Sequence, residues 1–235
     1  MELLVALRTT GSIREFTADA VPAAALHRVL DAARFAPSGG NRQGWRVVVV
    51  DDAATRRRLR DLYLPGWYDY LAMAGAGLTP WAPVTDRDAE TAALAGAPAV
   101  AAAAAAGSGG FAEHLDTVPV LLCLFADLRA LAAVDRGFDR YSFAGGASVY
   151  PFAWSLLLAA REEGLGGVIT TMATRREAEV KELLGAGDEL ALAAVIALGY
   201  PVSRPRRLRR AAVEAFVTVD RVGGVPFIVD DRSGE

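Results

Sequence analysis

Cysteine, lysine and histidine are nearly missing from this 235-residue sequence: there is one cysteine, one lysine and two histidines. A single cysteine, Cys123, excludes a disulfide within the chain and any metal cluster built on several thiolates. It lies in the apolar run VPVLLCLFAD and reads as a core residue. His27, on the helix after Pro22, and His114, on a short polar segment, are too few for a histidine metal site or a hydrolytic triad. No uninterrupted apolar run reaches the roughly eighteen residues of a membrane span. The opening MELLVALRTT lacks the basic start, apolar core and cleavage site of a secretory leader. These absences predict a cytoplasmic protein without a membrane partner. A dominant sign of charge is missing too, since 25 basic against 28 acidic residues leave a formal charge of −3. That gives no basic field for nucleic acid, so small molecules are the expected partners.

What is present is a globular composition, 53% hydrophobic and 23% charged, long enough for one elaborated domain spanning 1–235. Met1 to Leu7 reads as a short amphipathic helix. Val21-Pro22 opens a second, with Leu26, Val29, Leu30 and Ala33 on one face. Trp45 to Val50, Val118 to Phe125, Val168 to Thr171 and Leu190 to Leu198 read as strands. Ala53 to Tyr70 starts with Arg56 to Arg60 as a solvated helix face. Leu64 to Asp88 has no clear period and reads as a loop or cap in which Trp67, Tyr68, Tyr70 and Trp81 either wall a pocket or pack the loop down. The alanine tract Ala97 to Ala106 is a helix or an insert, so the whole of 64–115 is treated as a loop or insert. Ser148 to Glu163 is a long apolar helix that Ser148 can cap, and Thr174 to Glu177 a capping box for a helix ending at Gly185. An extended, arginine-rich tail runs from about 203 to 235. Helices mixed with short strands predict an α+β fold.

One stretch stands out, APSGGNRQGWRVVVV from Ala36 to Val50, where a helix ends in a turn and a buried strand begins. Its two glycines let backbone amides approach a ligand, and Ser38 and Asn41 add small polar groups. It is either a ligand cradle or a plain helix-to-strand connection.

The order Ser12-Ile13-Arg14-Glu15-Phe16, amphipathic helix, APSGGNRQGW, then GGASVYP at 145–151, GLGGVITT at 164–171 and ALGYP at 197–201 resembles the nitroreductase family of FMN-dependent oxidoreductases over most of the chain. The resemblance implies a central mixed β-sheet covered by helices, in an intertwined homodimer with FMN at the interface. On the family pattern Ser12 and Arg14 meet the phosphate, ribityl chain or ring edge. Ile169, Thr170 and Thr171 lie against the isoalloxazine. Pro37, Ser38, Gly39 and Asn41 reach the flavin of the other subunit. Thr10-Gly11 stands where the family often has an arginine before the serine, so Arg209 and Arg210, after the G-Y-P segment, are expected to take the phosphate, with Arg8 the nearest amino-terminal cation. Gly44 replaces a usual proline. The implied chemistry is ping-pong: NAD(P)H as hydride donor, then a nitroaromatic, quinone or related small acceptor, with no side chain nominated as catalytic acid or base. An FMN-dependent oxidase or dehydrogenase of a biosynthetic intermediate, and a non-catalytic flavin-binding protein, are the competing readings, and a deazaflavin in place of FMN stays open.

Overall fold

The computed structural model describes residues 2–229, so Met1 of the expected first helix and residues 230–235 of the expected tail lie outside the described residues. Eleven regular elements are used below. The helices are α1 (Leu3–Thr9), α2 (Ala23–Ala33), α3 (Ala53–Gly75), α4 (Arg87–Leu94), α5 (Ala97–Ala106), α6 (Tyr150–Glu162) and α7 (Glu177–Leu184). The strands are β1 (Trp45–Val49), β2 (Val120–Asp127), β3 (Gly166–Thr170) and β4 (Leu190–Gly199).

The sheet runs β1-β2-β4-β3, and every neighbouring pair is antiparallel. The expected mixed sheet is thus corrected: among the described residues the one parallel pairing is the isolated bridge between Ser12 and Gly167. The reason lies in the crossover. Strands β2 and β3 do point the same way across α6, but β4 is inserted between them and is antiparallel to both.

Strand β2 is buried along its whole length. Because successive side chains leave a strand on opposite faces, Val120, Leu122, Leu124 and Ala126 enter one core, with Val29 and Ala33 of α2 and Phe152, Ala153 and Leu156 of α6. Leu121, Cys123 and Phe125 enter the other, with Leu59 and Tyr63 of α3 and Val180 of α7. Each fully buried leucine here contributes roughly 1.5–3 kcal/mol. Cys123 is a core residue as expected, and burial pushes its thiol up to about 12.

Three local expectations change. Helix α3 continues through Pro65 to Gly75 where a loop was expected after Leu64. A proline inside a helix removes one hydrogen bond, and packing outweighs that loss here: Gly66 lets α3 press on the segment after β3, where a Cβ would come within 2.7 Å of the Met172 carbonyl oxygen. Most of 64–115 is therefore helical, including the alanine tract, which forms α5. Arg87–Ala106 has the length and apolarity of a membrane span. It turns at Ala95-Gly96 into helices of eight and ten residues, rising roughly 12 and 15 Å against a hydrocarbon core of about 30 Å. Second, Arg56 and Arg60 are not simply solvated: Arg56 donates to the Val118 carbonyl and Arg60 pairs with Asp116 at 3.0 Å, fastening α3 to the approach to β2. Third, neither expected cap forms. Ser148 precedes the start of α6 and its hydroxyl accepts from the Gly39 amide at 3.0 Å. Thr174 donates to the Thr171 carbonyl, and Glu177 accepts from the Leu192 amide at 2.6 Å, tying α7 to β4.

At the last residue of β2, Asp127 accepts from the Arg129 guanidinium at 2.9 Å and from the Arg129 amide, and pairs with Arg46 at 3.4 Å. The Arg129 side-chain bonds lead in lowering its carboxyl from the ordinary 3.8 to about 2. A carboxyl depressed in the folded state contributes stability that is whole above the unfolded value and is lost as pH falls through the folded one. The urea midpoint of the wild type is expected to fall between pH 3.8 and 2, with that part of the slope absent in Asp127→Asn. A second expectation concerns β3. A Cβ on Gly167 would overlap the Leu198 side chain and lie 2.5 Å from the Ala197 backbone oxygen, which cannot swing away. Gly167→Ala should destabilise by ~1–3 kcal/mol, read as a lowered urea midpoint at unchanged slope.

Candidate functional site

The segment after α1 runs along the outer edge of β3. The Ile13 amide donates to the Gly167 carbonyl at 2.9 Å, Thr17 to Tyr200 at 2.8 Å, and Val202 back to Glu15 at 3.1 Å. Extended backbone alternates its side chains, so Ile13 turns into the core while Ser12 and Arg14 turn outward. At the end of β3, Thr170 shares a 3.0 Å hydrogen bond with the hydroxyl of Tyr63, a buried residue of α3. Burial pushes the Tyr63 phenol above its ordinary value, opposed by the Thr170 hydroxyl and the positive charge of Arg14. Arg14, Tyr63 and Thr170 thus form one neighbourhood. Ile169 packs against the first core, and the Thr171 carbonyl accepts from Thr174. A cavity of about 710 Å³ opens beside the arm where β2 begins, with Arg14, Glu15 and Phe16 on one wall and Trp67, Phe111, Val118 and Pro119 on the other. It offers largely apolar walls, a guanidinium and a carboxylate.

Behind this arm the chain after β4 returns. Arg204 donates to the carbonyls of Gly164 and Leu165, and the Leu208 amide donates to the Arg8 carbonyl at 3.0 Å. The tail therefore lies against α1, and Arg8, Arg206, Arg207 and Arg210 line a second cavity, of about 740 Å³, that no acidic side chain lines. None of these arginines makes an ion pair among the described residues. Arg210 donates to the Arg209 carbonyl, and Arg209 is exposed outside the cavity lining. Of the two arginines expected at the phosphate, only Arg210 lines this cavity, together with Arg8, the nearest amino-terminal cation.

The turn at Pro37–Asn41 is built separately. Gly40, Asn41 and Gln43 all have φ between 51° and 60°. Such a run holds only because it is cross-tied: Gly39 donates to Ser148, the Gln43 amide to the Ser38 hydroxyl at 3.0 Å, and the Gln43 side chain to Asn41 at 3.2 Å. The turn precedes β1 and Thr170 ends β3, at the same end of the sheet but on opposite edges. Three strand spacings, about 14 Å, separate those edges. One chain sets Ser12 against Gly167 at the start of β3, gathers Arg14 and Thr170 around Tyr63, and places Thr171 in a separate cavity described below; Pro37, Ser38, Gly39 and Asn41 lie across the sheet from all of them.

The region between β1 and β2 supplies what sequence reasoning left undecided. Trp67 stacks on Tyr70 at 5.5 Å, Tyr70 meets Trp81 at 6.5 Å, and the Arg175 guanidinium lies 5.2 Å from the Trp81 ring centre. This ladder runs from the first cavity to a third, of about 460 Å³, lined by Trp81, Arg87, Glu90, Tyr141, Thr171 and Arg175. Asp135, buried in the loop before α6, accepts from the Ser142 hydroxyl at 2.6 Å, the Phe143 amide at 2.8 Å and Arg140 at 2.8 Å. Those bonds, the Ser142 hydroxyl foremost, hold its carboxyl far below the usual carboxylate range and fix the loop that presents Tyr141. No local pattern announced Tyr63 or Arg175, each of which meets a partner remote along the chain, nor Asp135, whose partners lie within its own loop.

Comparison with known proteins agrees with the fold. The chain is 33% identical to an NADH dehydrogenase of Thermus thermophilus, over 88% of this chain and 90% of that one. Its fold superposes on iodotyrosine deiodinase bound to FMN and 3-iodo-L-tyrosine with a TM-score of 0.62 at 23% identity, covering 94% and 100% of the two chains. It superposes on the NADPH:FMN oxidoreductase of Vibrio harveyi, complexed with NAD+, with a TM-score of 0.60 at 21% identity, covering 93% and 75%. The nitroreductase family model matches residues 7–200, and the chain belongs to the nitroreductase family.

Proposed function

We propose that this chain, an oxidoreductase by its family, binds FMN along the Ser12–Arg14 arm and the end of β3, takes hydride from NAD(P)H and passes electrons to a nitroaromatic, quinone or related small acceptor in a ping-pong cycle. The observation that carries the reading is a pair of cavities flanking the amino-terminal arm: a largely apolar one with Arg14 and Glu15 in its wall, and one lined by Arg8, Arg206, Arg207 and Arg210 with no acidic side chain. That donor set fits a flavin mononucleotide, which has a planar apolar ring, a ring edge that gains negative charge on reduction, and a phosphate dianion.

When bound, FMN supplies the hydride and electron transfer. The protein's part is to bind and orient. Arg14 presents a fixed positive charge where the reduced ring is negative. Tyr63 holds Thr170, and with it the end of β3, in place. Arg8, Arg206, Arg207 and Arg210 offer charge-assisted hydrogen bonds to the phosphate. The Pro37–Asn41 turn, too far from this edge in its own chain, completes the site of a second copy, which makes the working unit a homodimer. Exposed apolar residues support that assembly: Phe35 beside the turn is 75% exposed, and Tyr150 and Trp154 on α6 are 45% and 38% exposed.

The purified protein is expected to be yellow and to release FMN on denaturation; a colourless protein that fails to bind added FMN in a fluorescence titration overturns the proposal. Sedimentation should show a dimer, and a stable monomer with full FMN affinity would contradict the shared site. Among the cations, Arg210→Ala and Arg8→Ala should weaken FMN by about 10- to 150-fold while leaving riboflavin nearly untouched, since a charge-assisted bond to phosphate is worth ~1.5–3 kcal/mol. Arg209→Ala should do less. Arg14→Ala should weaken FMN and riboflavin alike and lower the flavin midpoint potential. Late-arginine variants that keep the wild-type FMN-to-riboflavin ratio would remove the phosphate from this end of the chain.

A further inference from the structure

We propose that the third cavity, between the Thr171–Arg175 turn and α4, is an acceptor pocket for a planar aromatic carboxylate, with Arg175 as the residue that selects the acid. The inference rests on the proposed flavin position only for turnover, because Thr171 lines this cavity; the binding argument stands on the pocket itself. Its volume of about 460 Å³ lies within the range of sites that enclose small organic molecules.

Three charged side chains line it, and two neutralise each other. Arg87 bonds Glu90 at 2.8 Å, and Glu90 is only 7% exposed, so that carboxylate is already spoken for. Arg175 has no ion pair and no hydrogen bond among the described residues. Its one recorded partner is the face of Trp81, which orients a guanidinium by cation–π attraction and leaves its N–H groups for an anion. The pocket therefore carries one uncompensated positive charge. A planar carboxylate meets the fork of an arginine with two parallel hydrogen bonds.

The aromatic half of the assignment comes from the walls. Trp81 holds a φ of 51°, a backbone region that a bulky residue adopts only when its surroundings impose it, and the Trp67–Tyr70 stack behind it does so. Tyr141 stands on the lining as well, its hydroxyl accepting from Arg87 at 3.2 Å while the Asp135 loop fixes its backbone. Two aromatic side chains and one free guanidinium define a ligand with a flat apolar body and a carboxylate at its end.

The test compares 4-nitrobenzoate with 4-nitrobenzamide, which has the same shape without the charge, by isothermal titration calorimetry on the protein as purified. The wild type should bind the acid at least 10-fold more tightly. Arg175→Gln should bring the two within about twofold, and Arg175→Lys, which keeps the charge but loses the fork, should fall between. Equal wild-type affinities overturn the proposal, as does a preference that survives undiminished in either variant. The wild-type comparison needs no mutation, so a variant that fails to fold does not protect the idea. Because the readout is binding, a protein that fails to bind added FMN yet still prefers the acid supports this assignment while overturning the flavin reading.

Discussion

Everything in this fold hangs on β2 being buried on both faces. One eight-residue strand supplies alternate side chains to two cores, so the α2–α6 layer and the α3–α7 layer are held in fixed relation through it. That relation sets the site. Tyr63 reaches Thr170 only because α3 is pressed onto the second core from one side. The first core holds α6, which leads into β3, from the other. With a rigid two-sided core, an edge strand can carry a cofactor arm without itself being stabilised by much local structure.

The strands were legible because alternation and near-continuous apolar runs are local properties, and β2 declares its double burial in the run VLLCLFAD. The arm and the turn were legible because their residue order is a family signature. Helix α3 was not. Pro65 and Gly66 look like loop residues in sequence, yet Gly66 serves a close approach to Met172, a contact about a hundred residues away that no local window contains. Ser148 failed for the same reason. Its place before a helix suggested a cap, whereas its hydroxyl is taken by Gly39 from another element. Where a polar residue's partner is remote, propensity offers only the local guess.

The 37–41 turn and the end of β3 stand on opposite edges of the sheet, about 14 Å apart by three strand spacings, and no side chain of the turn spans that gap. The turn takes the left-handed region without strain at Gly40 and with strain at the non-glycine positions Asn41 and Gln43, and its Gly39 and Asn41 side is exposed. Strain of roughly 1–3 kcal/mol per residue in an exposed connection persists only where the surroundings over-determine it. Here the Gly39–Ser148 and Ser38–Gln43 bonds do so.

Net charge says nothing about any of this, because the anion-binding capacity is a matter of which arginines are paired. Arg28, Arg34, Arg46, Arg60, Arg87, Arg129, Arg140 and Arg176 each face a carboxylate. These are structural fasteners, and together with the many unpaired surface acids they leave the formal total at −3. Arg8, Arg206, Arg207 and Arg210 instead line one cavity without an acidic neighbour in its walls, and Arg175 stands alone over Trp81. Like charges gathered at short range repel, and at physiological salt that repulsion is screened only beyond about 8 Å. A sequence that uses arginine almost exclusively had carboxylates to spare for these positions and does not place them there. An anion arriving there would relieve that repulsion, so the unpaired guanidiniums, rather than the overall balance of charge, set the electrostatics of these two cavities.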